Sequence, residues 1–197
     1  RNFFNKNYPY YALVKIVVNE DKDFILENFQ NKMISHNNLF EDLIIAQSIQ
    51  EGNNFWQFRE KLTEAQKLDG KLLGFDISIP LSSLEIFFQK SKFLINNIVP
   101  GIKFHTFGHL GDSNIHYNLI EPDNFKGNFF DCENDIKKII NSLLVEYHGS
   151  ISAEHGIGIL KKDDFYKTKS KEEIIIMKKI KNLFDPNNIL NNKKIFD

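Results

Sequence analysis

Cysteine is almost missing from this chain: Cys132 is the only one among 197 residues. An intramolecular disulfide cannot form, and no CxxC or Cys/His finger spacing occurs, which reads as a chain of a reducing, cytoplasmic compartment. No apolar run approaches the roughly 20 residues of a membrane helix, and no secretory signal pattern opens the chain. Charge of one sign is lacking too, with 25 Lys and Arg against 26 Asp and Glu and a net charge of −1. Nucleic acid is therefore not an expected partner, because a phosphate-backbone binder needs a clustered basic excess. A GxGxxG after a strand is missing, as is a GxxxxGK[ST] loop, so no dinucleotide domain lies in this sequence.

What is present is an ordinary globular composition, 42% hydrophobic and 26% charged, with 19 Phe to fill a core. The length suits one domain. "YYALVKIVV" (10–18) is β-branched and aromatic and predicts a strand. Residues 20–33 carry helical spacing, 41–48 read as a short strand, 51–68 as a helix and 71–80 as a strand ending at Pro80. "SSLE" predicts a capping box, with Ser82 as N-cap and Glu85 three residues on, opening a helix to about Val99. "GIKFHTFGHLGDSNIHYNLIEP" predicts two strands around a turn. A helix over 129–148 ends at Gly149, "SISAEHGIG" reads as a short strand running into a loop, and a last helix opens on a capping pattern from Ser170 to Glu173. The order β-α-β-α-β-α-β-β-α-β-α predicts α+β architecture. The expected form is an antiparallel sheet with helices mainly on one face, as in a ferredoxin-like domain.

The chemistry concentrates in two stretches. In "GHLGDSNIHYNL" the turn Gly111-Asp112-Ser113-Asn114 folds the second strand back beside the first, so His109 and His116 come close. Asn118 lies two residues beyond His116 and shares its face, while Ile115, Tyr117 and Leu119 take the other. In "SAEHGIG", Glu154 and His155 precede two glycines. Histidines of this kind serve either as hydrogen-bonded sheet residues or as metal ligands. Imidazole with carboxylate suits zinc or a similar first-row ion, and three protein ligands with one open position is a catalytic pattern. His105 shares the face of His109 by parity.

Taken in order, "REKLTEAQKLDG", "FDISIPLS", "GHLGDSNIHYN", "SAEHGIG" and "LFDPNNILN" resemble the C-terminal cap domain of FAD-linked oxidases. These are the D-lactate, glycolate and D-2-hydroxyglutarate dehydrogenases of the vanillyl-alcohol-oxidase type flavoproteins. The resemblance implies that residues 1–197 form a single substrate, or cap, domain and that the FAD-binding domain lies outside this chain. It implies metal ligands at His109, His116 and Glu154, a general base at His155, and substrate contacts at Arg59, Thr63 and Asn118. It also places Asn191 near the flavin. The activity implied is oxidation of a D-2-hydroxy acid to the 2-oxo acid, with FAD and a divalent metal, zinc, as cofactors. The partners implied are the small hydroxy acid, an FAD-binding domain or subunit, and a second copy of the chain in a homodimer. The location implied is the cytoplasm, with room for a peripheral place at the inner face of the membrane. Three positions depart from the family pattern: Gly74 where Lys is common, Ser113 where Gly is usual, and Asn191-Asn192-Lys193-Lys194 in place of "NPGK". These departures keep open a non-catalytic remnant, and the same three ligands would also allow a free-standing metal-binding domain or metal-dependent hydrolase.

Overall fold

The computed structural model describes residues 3–17 and 22–196, which group into two compact units, one up to Ala65 and one from Gln66 onward. The first unit contains α1 (Lys22–Ser35), α2 (Ile49–Glu60) and α3 (Leu62–Ala65). Ser48 caps α2, its hydroxyl accepting the Glu51 N–H at 3.1 Å. Edge-to-face pairs of Phe3 with Phe55 and Phe58 join its opening residues to α2. None of its described residues is buried.

Two expected strands are not formed in this unit. Residues 10–17 and 41–48 are irregular, and residue 18 lies outside the described residues. Their apolar patterns are real, but strand structure is made by pairing, and no described neighbour supplies a ladder partner. The helix expected over 51–68 is also broken, since a turn at Lys61 separates α2 from α3 and the last three residues form a 3₁₀ turn.

The second unit is built on three antiparallel strands, β1 (Leu72–Ser78), β2 (Lys103–His109) and β3 (Asn114–Ile120), in the order β1-β3-β2. Helix α4 (Leu84–Ile98) connects β1 to β2, and α5 (Glu133–Glu146) follows β3. Shorter α6 (Lys162–Thr168) and then α7 (Lys171–Phe184) complete it. The strand order and the two crossing helices are those of the ferredoxin-like arrangement, and the fold is α+β. Its fourth strand is reduced to one antiparallel bridge between Ser150 and Ser78. "SISAEHGIG" therefore supplies one paired residue and then a loop, and α6 falls where the sequence carried no expectation.

Register explains which side chains meet. Asp76 pairs with His116, Gly74 with Asn118, Phe107 with His116 and His109 with Asn114. Because faces alternate, Leu73, Ile77, Ile115, Tyr117 and Leu119 share one face. Phe87 and Ile95 of α4 and Ile136, Ile140 and Leu144 of α5 pack against it. The other face carries Asp76, Asn114, His116, Asn118, His105 and His109. Two glycines are fixed by close approach: a Cβ on Gly108 would sit 2.0 Å from the Asn114 carbonyl oxygen, and one on Gly149 2.6 Å from that of Ser78. The second explains how α5 ends. His148, not Gly149, takes the left-handed conformation (φ 56°), while Gly149 lets the chain press against β1.

The capping pattern at "SSLE" is corrected: a 3₁₀ turn over Leu81–Ser83 leads into α4, and Ser83 is the N-cap without a side-chain bond. The box at Ser170 and Glu173 does form, with both reciprocal bonds present. Inside the core, Ser91 Oγ and Tyr117 Oη form a polar pair, 2.7 Å apart. Ser91→Ala leaves the Tyr117 hydroxyl buried without that partner and is expected to cost about 1–3 kcal/mol, read from the urea midpoint. Tyr117→Phe should cost less, because Ser91 Oγ still reaches the Phe88 carbonyl at 3.3 Å.

Candidate functional site

The polar face of the sheet is covered at one end by the loop that follows Ser150. Glu154 Oε1 lies 3.3 Å from His116 Nε2 and 3.4 Å from His155 Nε2, and Glu154 Oε2 accepts a bond of 2.9 Å from Asn114 Nδ2. The His116 and His155 rings are 5.9 Å apart, centre to centre. Ligand atoms of Asp76, His116 and Glu154 all lie within 4.8 Å of one another. Four of the residues singled out in the sequence thus fall into two groups: His116, Glu154 and His155 converge, and Asn118 lies on the same face one step from His116.

Asp76 is the residue the sequence reading missed. It is only 5% exposed, and its carboxylate accepts bonds from Ser152 Oγ (3.0 Å), the His155 N–H (2.9 Å) and the Glu154 N–H (3.2 Å). Burial by itself would raise its pKa. The His155 and Glu154 N–H groups, the Ser152 hydroxyl and Lys161 outweigh burial and hold it below the ordinary carboxylate value. Lys161 is the other missed residue: its ammonium donates to the Ile151 carbonyl at 2.8 Å and stands 3.7 Å from Asp76 Oδ2. Burial pushes the Lys161 pKa down, against the pull of Asp76. A signal was available, since a lone carboxylate in the apolar strand "LLGFDISI" needs a buried partner.

His109 ends β2 on the same face, paired in register with Asn114. It is exposed, with Nδ1 3.9 Å from Asp112 Oδ2, and stands outside the Asp76, His116 and Glu154 group. His105 faces Asp69 instead, 3.3 Å away. Asn118 is buried and donates its Nδ2 to Gln66 Oε1 at 2.9 Å. A Cβ on Gly74 would lie 3.0 Å from Asn118 Oδ1 and 3.2 Å from Leu72 Cδ2, so the glycine lets the Asn118 amide press against β1. Ser113 takes a left-handed conformation (φ 60°), which is why glycine is usual there, and Asp112 Oδ1 accepts the Asn114 N–H to hold the turn. Arg59 and Thr63 belong to the first unit, on α2 and α3 respectively.

Asn191 follows α7 in a turn where Asn188, Asn191 and Lys193 all have positive φ. The turn is tied by buried Asp185, whose carboxylate accepts the Ile189 and Leu190 N–H groups at 3.0 and 2.9 Å and pairs with Lys181. Lys181 above all holds the Asp185 pKa below the usual carboxylate range. A pKa lower in the folded than in the unfolded chain adds stability above the unfolded value, which is lost as pH falls through the folded one. Asp185→Asn should therefore flatten the loss of stability on acidification below about pH 4, the ordinary carboxylate range, in denaturation curves taken across that range.

Two observations bear on whether a metal ion fits. Asn114 Oδ1 is buried with no partner beside Glu154, an acceptor whose lone pairs are unused. Imidazole and carboxylate atoms at 3.3 Å have the spacing that bonds of about 2.0–2.1 Å make at a tetrahedral ion. The donor set therefore fits a first-row divalent ion. Among the described residues no helix is long and apolar enough to cross a membrane.

The chain is 30% identical over 195 residues to the D-2-hydroxyglutarate dehydrogenase of Xanthomonas citri pv. viticola, covering 98% of this chain and 41% of that protein. With the protein of the same name from Stutzerimonas stutzeri it shares 32% identity over 196 residues, 98% of the chain and 42% of the relative. A putative mitochondrial D-lactate dehydrogenase of Schizosaccharomyces pombe is 33% identical over 198 residues, 93% of the chain and 36% of the relative. The chain thus spans less than half the length of these relatives, and a purely cytoplasmic location does not hold across them. The model of the family described as FAD linked oxidases, C-terminal domain, matches residues 2–195, and to that family this chain belongs.

Proposed function

We propose that this chain supplies the substrate- and metal-binding part of an FAD-dependent dehydrogenase that oxidises a D-2-hydroxy acid to the 2-oxo acid. The observation that carries the reading is the convergence of His116, Glu154 and His155 on the polar face of the sheet, within 3.4 Å of one another through Glu154. D-2-hydroxyglutarate is the first compound to test, as two relatives bear its name.

The residues take the following parts. His109, His116 and Glu154 hold a divalent ion, zinc by its donor chemistry; such an ion, when bound, supplies a Lewis acid that lowers the pKa of a substrate hydroxyl. His155 accepts the hydroxyl proton on Nε2. Its Nδ1 stands 3.6 Å from Asp76 Oδ2. Asn118 offers its Oδ1 beside Gly74. Arg59 binds the substrate carboxylate through its planar guanidinium, with Thr63 assisting. FAD, when bound by an FAD-binding domain, would supply the acceptor for the hydride of C2, and Asn191 would lie on the flavin side.

An FAD-binding domain also fits the surface of α7. Ile176, Ile180, Leu183 and Phe184 recur at helical spacing and are 52–79% exposed, a stripe that needs a cover. The test is steady-state turnover of D-2-hydroxyglutarate and D-lactate by the enzyme containing this chain, beside its Arg59→Ala variant. Loss of a charge-assisted carboxylate contact should raise KM about 10- to 100-fold with zinc content unchanged. Equal turnover by the variant would remove Arg59 from the site, and no turnover of any D-2-hydroxy acid would overturn the reading.

A further inference from the structure

Glu154 and His155 stand on a loop, not on a strand or helix, and both are exposed. Something must hold such a loop in place if its side chains are to meet His116. We propose that Asp76 is the positioning residue of this site: its buried carboxylate organises the Ser152–His155 loop and sets Glu154 and His155 over the sheet, and it is not itself a ligand. The inference rests on the functional reading above only for what Glu154 and His155 do.

Asp76 lies at the centre of β1, opposite His116 in the ladder, so its backbone is fixed by pairing. Its Oδ2 receives the Ser152 hydroxyl and the successive N–H groups of Glu154 and His155, at 3.0, 3.2 and 2.9 Å. Two consecutive backbone N–H groups turned on one carboxylate form the kind of anion-holding concavity usually filled by a phosphate. The glycine that follows, Gly156, has φ +77°, which turns the chain away after the two donors. Oδ1 is 3.3 Å from the Glu154 N–H. Lys161 closes the arrangement from behind, bonding the Ile151 carbonyl at 2.8 Å and the Asp76 carbonyl at 3.4 Å, so strand and loop are stapled on both sides of Ser152. Oδ2 is thus spent on the loop, though Asp76 belongs by distance to the group that could hold a metal. A ligand would keep a lone pair directed at the ion.

The two roles differ in what asparagine can replace. A neutral amide oxygen can still accept the loop's donors, with weaker bonds than a carboxylate, whereas alanine accepts none. The experiment measures zinc affinity by calorimetry and amide hydrogen exchange of Glu154 and His155 in the 197-residue chain, for wild type, Asp76→Asn and Asp76→Ala. Circular dichroism of each variant checks that the sheet is kept. In Asp76→Ala the two amides should lose protection by about tenfold or more, as expected when a buried acceptor worth about 1.4 kcal/mol is removed, and zinc affinity should fall by at least as much. Asp76→Asn should restore most of both. Asp76→Asn as damaging to zinc binding as Asp76→Ala, with the amides still protected, would make Asp76 a ligand and overturn the proposal. Unchanged exchange in Asp76→Ala would overturn it as well. If wild type binds no zinc, the functional reading fails, while the exchange pattern still decides whether Asp76 holds the loop. Should Asp76→Ala not fold, Ser152→Ala provides the graded case: removal of one of the three donors should speed exchange at Glu154 and His155 by a few-fold, and unchanged exchange would overturn the proposal.

Discussion

His116→Ala is expected to lower kcat/KM of the enzyme containing this chain by two orders of magnitude or more. His116 projects from the central strand β3, so its backbone is held by ladders on both sides. Its Nε2 is 3.3 Å from Glu154 Oε1, and its ring stacks obliquely on Phe107 with centroids 5.0 Å apart. A side chain so constrained contributes a preorganised donor. Removing it takes one ligand of three from the proposed ion, and an ion that supplies several kcal/mol of transition-state stabilisation accounts for about a hundredfold per 2.7 kcal/mol lost. The fold should survive, because His116 lies on the face of the sheet opposite the apolar core. The check is steady-state kinetics with circular dichroism beside it. A loss of less than tenfold would remove the metal from the mechanism.

Phe87→Ala should be the costliest single change to stability, at about 3–5 kcal/mol. Phe87 has no solvent exposure and lies in the crossing helix α4. Its ring meets Tyr117 edge-on, with centroids 5.7 Å apart, and Tyr117 in turn stacks on Phe88 at the same distance. Deleting the ring opens a cavity between sheet and helix that neither neighbour can fill without leaving its partner. A domain typically has only about 5–15 kcal/mol to lose, so this variant is expected to unfold at a much lower urea concentration. A cost under 1 kcal/mol would mean that the α4 face is not the core.

The second unit was largely legible in the sequence. Tight turns and capping residues punctuate it: Gly111 to Asn114 between β2 and β3, and Ser170 with Glu173 before α7. The alternation of Ile115, Tyr117 and Leu119 against His116 and Asn118 assigns both faces of β3 from sequence alone. The first unit was not legible, because "YYALVKIVV" and "EDLIIAQS" have strand composition while pairing is a property of the neighbour. In the site, parity puts His116 and Asn118 on one face, the turn at Gly111–Asn114 brings His109 beside them, and "SAEHGIG" offers Glu154 and His155, whose roles the family resemblance supplies. Neither route found Asp76 or Lys161: Asp76 meets Ser152, His155 and Lys161 at separations of 76 to 85 positions along the chain. Such contacts leave no local period to read.

The most direct test of the account is zinc stoichiometry in tag-free chain, measured by elemental mass spectrometry after equilibration with zinc at neutral pH, for wild type, His116→Ala and His109→Ala. The account predicts close to one zinc per chain in the wild type and almost none in either variant, since both histidines are assigned as ligands. Zinc retained in His109→Ala but lost in His116→Ala would move the third ligand away from His109. No zinc in the wild type would contradict the central claim that the polar face of this sheet is a metal site.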